Sequence, residues 1–267
     1  MRMRPHESGR GADIEDTGLD AGGNPRSRGR VSEPFEEAIS GLPAPAAGIE
    51  LWWATLDARP GRLDACAACL SDVERARAAR FGNRSLQVRY IIGRGTLRAV
   101  LGASLGIAPA DVEIVRGARG RPRLRGETRL DFNLTHTSGV AVIGIAHGMR
   151  IGVDIERADR NVNVNGIARK FMTADERAAL APLDADARRL RLLRLWTCKE
   201  AMSKATGDAL SAPFASIDVA LREEPALTRG PAPYDPDRWS LHSLAVPHGY
   251  LATLAVWDPP KSPTHTR

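Results

Sequence analysis

The chain has 267 residues, 43% of them hydrophobic, and a formal net charge of +6 with a pI near 9.7, enough apolar material for one large domain or two small ones. No apolar run approaches bilayer-spanning length and the N-terminus has no apolar leader core, so insertion and secretion are not expected and a cytoplasmic protein is. Three cysteines fit that compartment: Cys66-x-x-Cys69 has no second pair or nearby histidine to make a zinc site, and Cys198 stands alone, so free thiols are expected.

Residues 1–47 are rich in Gly, Pro, Arg and Asp without periodicity, which predicts a disordered tail with a short helix around Glu33 to Ile39. Acids interleaved with Arg26, Arg28 and Arg30 argue against a transit peptide. Ile49 to Leu56 reads as a strand. Helices are predicted over 70–81 and 85–105, the second with Val88, Ile91, Ile92, Leu97 and Val100 on its apolar side and Gly106 as its stop. A short strand at 112–115 leads into a basic loop, Arg116 to Leu124, and Asp131 to Leu134 is a strand entering Thr135-His136-Thr137-Ser138-Gly139.

Val140 to Ala146 is continuously apolar and predicts a buried strand. His147-Gly148 turns it into a second strand, Ile151 to Glu156. There Gly152, Asp154 and Glu156 share one face, placing two carboxylates about 7 Å apart. Such anions repel unless a cation lies between them, although an exposed strand end carries the same pattern with no ligand. Thr173-x-x-Glu176 fits a capping box, which makes Glu176 structural. A helix is predicted from Ala187 to a C-cap at Gly207, with Trp196, Glu200 and Lys204 on one face. Of 38 basic residues only four are Lys, and two of these, Lys199 and Lys204, lie in this stretch, a use of compact ammonium groups in a chain that otherwise writes Arg. Glu200 would supply a third carboxylate to Asp154 and Glu156, a set suited to Mg²⁺ shared with substrate phosphates. Lys199 faces about 100° away and is expected to pair structurally, and Trp196 to pack in the core. Strands near 216–221, 239–244 and 250–257 follow, and the chain after Pro259 reads as loose.

From Arg75 to Arg125 there are twelve Arg and two acids, Asp111 and Glu113. That balance suits nucleic acid or a small ligand with several phosphates. No nucleic-acid motif is present and aromatics are only 5%, too few for a stacking platform.

The strand Gly152-Val-Asp-Ile-Glu156 followed by W-x-x-K-E-A-x-x-K-x-x-G at 196–207 resembles the 4′-phosphopantetheinyl transferases of the double-length Sfp type. The resemblance extends over Leu51 to Val256: Gly120-Arg-Pro122 is similar to the family's G-[KR]-P element, Phe132 to Gly139 to its F-N-x-S-H-S block, and Arg75 to Phe81 to its basic helix. Departures are Thr135 for the family's serine, Glu74 at a position often lysine, and K-E-A for K-E-S. The resemblance implies an α+β fold of two similar halves, 48–148 and 149–258, each packing helices on a small antiparallel sheet in an intramolecular pseudo-dimer, hence a monomer. It implies Mg²⁺-dependent transfer of phosphopantetheine from coenzyme A to a serine of an acyl or peptidyl carrier protein, releasing adenosine 3′,5′-bisphosphate. By the same resemblance Arg77, Arg121, Asn133, Thr135 and His136 contact the coenzyme, with Arg116 and Arg119 as further phosphate or nucleotide contacts. Asp154, Glu156 and Glu200 would hold Mg²⁺, Glu200 would take the serine proton, and Lys204 would steady the phosphoryl group. The competing expectations are a nucleic-acid-binding module, another Mg²⁺ enzyme such as a hydrolase of phosphorylated nucleotides, and a coenzyme-binding member without chemistry.

Overall fold

The computed structural model describes residues 31, 35–59, 61–117, 119–126 and 128–259. The expected N-terminal tail up to residue 30 and the tail after Pro259 lie outside the described residues. The first half runs β1 (Ile39–Leu42), β2 (Ile49–Thr55), α1 (Arg62–Ala68), α2 (Asp72–Ala79), α3 (Arg84–Leu105), a hairpin of β3 (Ile114–Arg116) and β4 (Pro122–Leu124), then β5 (Leu130–Thr137) and β6 (Val140–His147). The second runs β7 (Arg150–Arg157), α4 (Val164–Phe171), α5 (Ala174–Leu180), α6 (Ala185–Thr206), a hairpin of β8 (Asp218–Ala220) and β9 (Ala226–Arg229), then β10 (Trp239–Ser243) and β11 (Tyr250–Trp257).

Two expectations are corrected. Residues 39–42, assigned to the tail, form β1, which pairs antiparallel with β2 while Phe35 and Val31 enter the core. The two helices expected in the first half are three: the one over 70–81 forms as α2, and α1, which was not expected, precedes it. Ser71 separates them, capping α2 by a reciprocal pair with Glu74, its side chain accepting from Glu74 N–H and Glu74 accepting from Ser71 N–H.

Apart from β1, the halves match element for element: a strand, two short helices, a 22-residue helix, a two-stranded hairpin, and an antiparallel strand pair. The sheet orders correspond as well, β2-β6-β5 against β7-β11-β10. Each long helix ends on a left-handed glycine, Gly106 and Gly207. Each buries a cation fourteen residues after its first residue, Arg98 or Lys199, against the capping-box glutamate of the preceding short helix, Glu74 or Glu176. The pseudo-dimer is therefore visible in the buried ion pairs as well as in the topology.

Each half has a helix–sheet core, and a third cluster (Leu51, Trp53, Val142, Ile151, Val153, Ile155, Leu254) joins the two sheets. Against α6, β7 comes so close that a Cβ on Gly152 would lie 1.9 Å from the Ala201 carbonyl oxygen. Packed interiors do not absorb such an overlap. Gly152→Ala is expected to cost about 3 kcal/mol and to lower the melting temperature by roughly 10 °C. Wild-type melting would show that β7 and α6 can separate without penalty.

Candidate active site

β7 and α6 present the acids and the lysine to each other, and β5 of the first half closes the site. Asp154, in the middle of β7, is buried at 6% exposure. Lys204 Nζ donates to Asp154 Oδ1 at 2.6 Å, to Thr135 Oγ1 at 2.9 Å and to the Val153 carbonyl at 3.2 Å. The Thr135 hydroxyl in turn donates to Asp154 Oδ1 at 3.3 Å. Asp154 Oδ2 is buried with no hydrogen-bond partner among the described residues.

The electrostatics are those of crowded anions. Burial, then the charges of Asp154 and Glu156, push Glu200 up to about 7 against the pull of Lys204. Burial raises Asp154 despite Lys204, and raises Glu156 despite Arg160, with the Asp154 charge adding to it. Glu156 is paired with Arg160 four residues on. A cavity of about 490 Å³ opens beside Glu156, lined also by Thr137, Ser138, Arg157 and Arg160 among others.

The three acids expected to share a metal feel one another's charge, but among the described residues no three Asp, Glu, His or Cys side chains are drawn into one ligand shell. Lys204 and Arg160 hold two of the three instead. The donor set still fits a hard divalent cation: it is all carboxylate, it repels itself, and one buried oxygen of Asp154 is unsatisfied.

Lys199 is structural, as its helix position suggested. It has no solvent exposure, and its Nζ donates to Glu176 Oε2 at 2.6 Å and to the carbonyls of Phe214 at 2.8 Å and Phe171 at 3.1 Å. Trp196 packs edge-on against Phe171 and Phe214. Cys66 and Cys198 are buried free thiols that burial pushes up to about 11 and about 12, too high for nucleophilic use.

The first-half candidates scatter. His136 reaches solvent, yet partial burial of its ring holds its pKa below the usual value, with the charges of Lys204 and Arg89 adding to the effect, so it is neutral at pH 7. Arg77 lies over the Tyr90 ring, 5.5 Å from its centroid. Arg116 donates to the Gly120 carbonyl at 2.9 Å and Arg119 pairs with Asp208. Arg121 and Asn133 are committed within the protein. Arg121 holds Asp131 through both carboxylate oxygens, and Asn133 Oδ1 accepts the Val153 N–H at 2.9 Å. Three residues escaped the sequence: Arg89 beside His136, Asp131 under Arg121, and Arg160 on Glu156. Arg89 is one of many arginines in the basic run, Asp131 reads as a plain strand residue, and Arg160 follows its partner at a spacing that implies contact only on a helix.

Both halves of the chain are similar to known proteins. A family profile described as the 4′-phosphopantetheinyl transferase superfamily matches residues 150–255, and one described as 4′-phosphopantetheinyl transferase, N-terminal, matches 54–147. The 4′-phosphopantetheinyl transferase HetI of Nostoc sp. is 36% identical over 79% of this chain and 90% of its own. The 4′-phosphopantetheinyl transferase Sfp of Bacillus subtilis is 27% identical over 58% of this chain and 68% of its own. A holo-(acyl-carrier-protein) synthase of Bacillus anthracis, solved with CoA (3′,5′-ADP), aligns over 42% of this chain and 99% of its own at 20% identity, with a TM-score of 0.35.

Proposed function

The chain belongs to the 4′-phosphopantetheinyl transferase family, and from that premise we propose that it moves the phosphopantetheine of coenzyme A onto a serine hydroxyl of an apo acyl or peptidyl carrier protein. Transfer of phosphopantetheine to carrier proteins is the family's activity; coenzyme A as donor, Mg²⁺ as cofactor and a monomeric enzyme are parts of the proposal. The observation that carries it is the juxtaposition of Lys204, the unsatisfied Asp154 oxygen, and a Glu200 carboxylate poised near pH 7.

The serine oxygen attacks the phosphorus that bears the pantetheine arm, the bond from that phosphorus to the bridging oxygen breaks, and adenosine 3′,5′-bisphosphate leaves with the electron pair. Glu200 takes the serine proton, a task for which a pKa near the working pH is suited. Lys204, freed from Asp154 when substrate arrives, donates to the phosphoryl oxygens, whose spread charge is the main thing such a transition state needs neutralised. Asp154, Glu156 and Glu200 would hold Mg²⁺, which would supply further charge neutralisation at the pyrophosphate. His136, neutral, and Arg89, whose charge acts on it, offer donors to a coenzyme phosphate, while Arg77 and Arg116 act on Tyr90. Only the second half carries this chemistry. The positions of α3 equivalent to Glu200 and Lys204 are Ala99 and Ala103, so a single site per chain is expected.

The intact mass of an apo carrier protein after incubation with this protein, coenzyme A and Mg²⁺ tests the proposal against an EDTA control. The expected result is a gain of one phosphopantetheine group with Mg²⁺ and none with EDTA. Adenosine bisphosphate released with no gain on the carrier would indicate hydrolysis instead. No reaction and no coenzyme binding would reopen the nucleic-acid alternative.

A further inference from the structure

On β5, Asp131, Asn133 and Thr135 alternate with Phe132 and Leu134 and so share one face. All three cross into the second half. Among the described residues the edge of β7 that faces β5 has no strand partner, because β7 pairs there only with β11. Side chains of β5 stand in for the missing ladder: Asp131 Oδ2 accepts the Ile151 N–H at 2.9 Å, Asn133 Oδ1 accepts the Val153 N–H at 2.9 Å, and Thr135 meets Asp154 and Lys204.

Arg121 extends this seam to α6. Its side chain is 8% exposed and forms a bidentate pair with Asp131, 2.7 Å on each arm. Its Nε donates to the Lys204 carbonyl at 2.8 Å and its Nη2 to the Ile151 carbonyl at 2.7 Å. The one remaining N–H, on Nη1, reaches the carbonyl of Pro122 at 3.4 Å, and Nη2 also lies 3.3 Å from the carbonyl of Phe132. A guanidinium has five N–H groups, and here each has a protein acceptor, so none is left for a phosphate. The Lys204 carbonyl is one of the unpaired carbonyls at a helix end, and a cation is its natural partner.

We propose that Asp131 and Arg121 are positioning residues: the pair locks β7 and the last turn of α6 to the first half, and so sets Asp154 and Lys204 in register for transfer. Arg121 and Asn133, assigned by resemblance to the coenzyme, serve this seam instead. The inference rests on the proposed placement of Asp154 and Lys204 in the transfer site.

Asp131→Asn keeps the shape and an acceptor but removes the charge that orients Arg121. Arg121→Lys keeps the charge but cannot reach all its acceptors. In folded samples of each, checked by thermal melting, kcat is expected to fall by about tenfold or more. The KM for coenzyme A and its dissociation constant by calorimetry should stay within about twofold, since no binding shared by ground and transition states is removed. The double variant should be no worse than the poorer single one, as for two residues acting as a unit. Weakened coenzyme binding with kcat retained in Arg121→Lys, in either background, would restore Arg121 as a phosphate ligand and overturn the proposal. An unchanged kcat in Asp131→Asn, or additive losses, would overturn it as well, and Asp131→Asn alone decides if Arg121→Lys does not fold. Wild-type protein that transfers nothing would sink the functional proposal itself, a result these variants cannot mimic.

Discussion

Glu200→Gln is expected to lower the rate of transfer by about 10³-fold or more, while leaving the protein as stable as the wild type or more so. The two halves of this expectation come from one observation. Burial and the charges of Asp154 and Glu156 raise Glu200 from an ordinary carboxylate value of 4.5 to about 7. A carboxyl group whose pKa is raised by folding is ionised at a cost in the folded state. That cost is absent below pH 4.5, grows between pH 4.5 and about 7, and is complete above it. Glu200 is only partly buried, so after allowance for solvent screening the cost at pH 8 is about 1–2 kcal/mol. Glutamine has the same shape and no charge to bury, so the variant should melt no lower than the wild type at pH 8 and converge with it below pH 5. Mg²⁺ selects ionised carboxylates, so it should raise the melting temperature of the wild type more at pH 8 than at pH 6 and have little effect on the variant. Wild-type turnover by the variant would remove Glu200 from the chemistry. A pH-independent response to Mg²⁺ would remove it from the metal site.

What could be seen beforehand divides along physical lines. Local signals were legible: the glycine-stopped ends of α3 and α6, the Thr173–Glu176 cap, and the alternation that puts Asp154 and Glu156 on one face of β7. Lys199 was separable from Lys204 because 100° per residue is a strong constraint. Cross-chain pairings were not legible. Nothing in residues 120–133 says that Arg121 spends its donors on Asp131 and α6, because a seam between halves joins positions far apart in the chain. The short β1 was lost in a Gly- and Pro-rich context, although pairing with β2 suffices to order it. The internal duplication was hidden for a related reason. The halves keep equivalent roles at equivalent sites with different residues, Ser71 and Glu74 with Arg98 against Thr173 and Glu176 with Lys199.

That repeated device carries the second large expectation: Glu176→Ala should cost about 3–5 kcal/mol, lowering the melting temperature by roughly 10 °C or more. Glu176 is 4% exposed and Lys199 fully buried. The carboxylate also accepts the N–H of Thr173 at 2.8 Å and of Val219 at 3.0 Å, tying α5 and β8 to α6. Its loss leaves a buried ammonium hydrogen-bonded to the carbonyls of Phe171 and Phe214, with the more distant Asp218 charge as its remaining anion. Burial already lowers the pKa of Lys199, opposed by the Glu176 charge, and without that charge the lysine sheds its proton more readily. A base with a depressed folded pKa gives a protein that gains stability as pH rises, so the variant should recover partly at alkaline pH. Lys199→Met should cost less, because the carboxylate keeps its two backbone donors. In the first half the same change has no such escape. Glu74→Ala strands Arg94 and Arg98 together, and arginine does not deprotonate. Thermal melting across pH separates these cases: loss with alkaline recovery for Glu176→Ala, and loss without recovery for Glu74→Ala. Equal, pH-independent losses would mean that the capping boxes hold the helices while the buried cations contribute nothing, and the correspondence between the halves would then be one of shape alone.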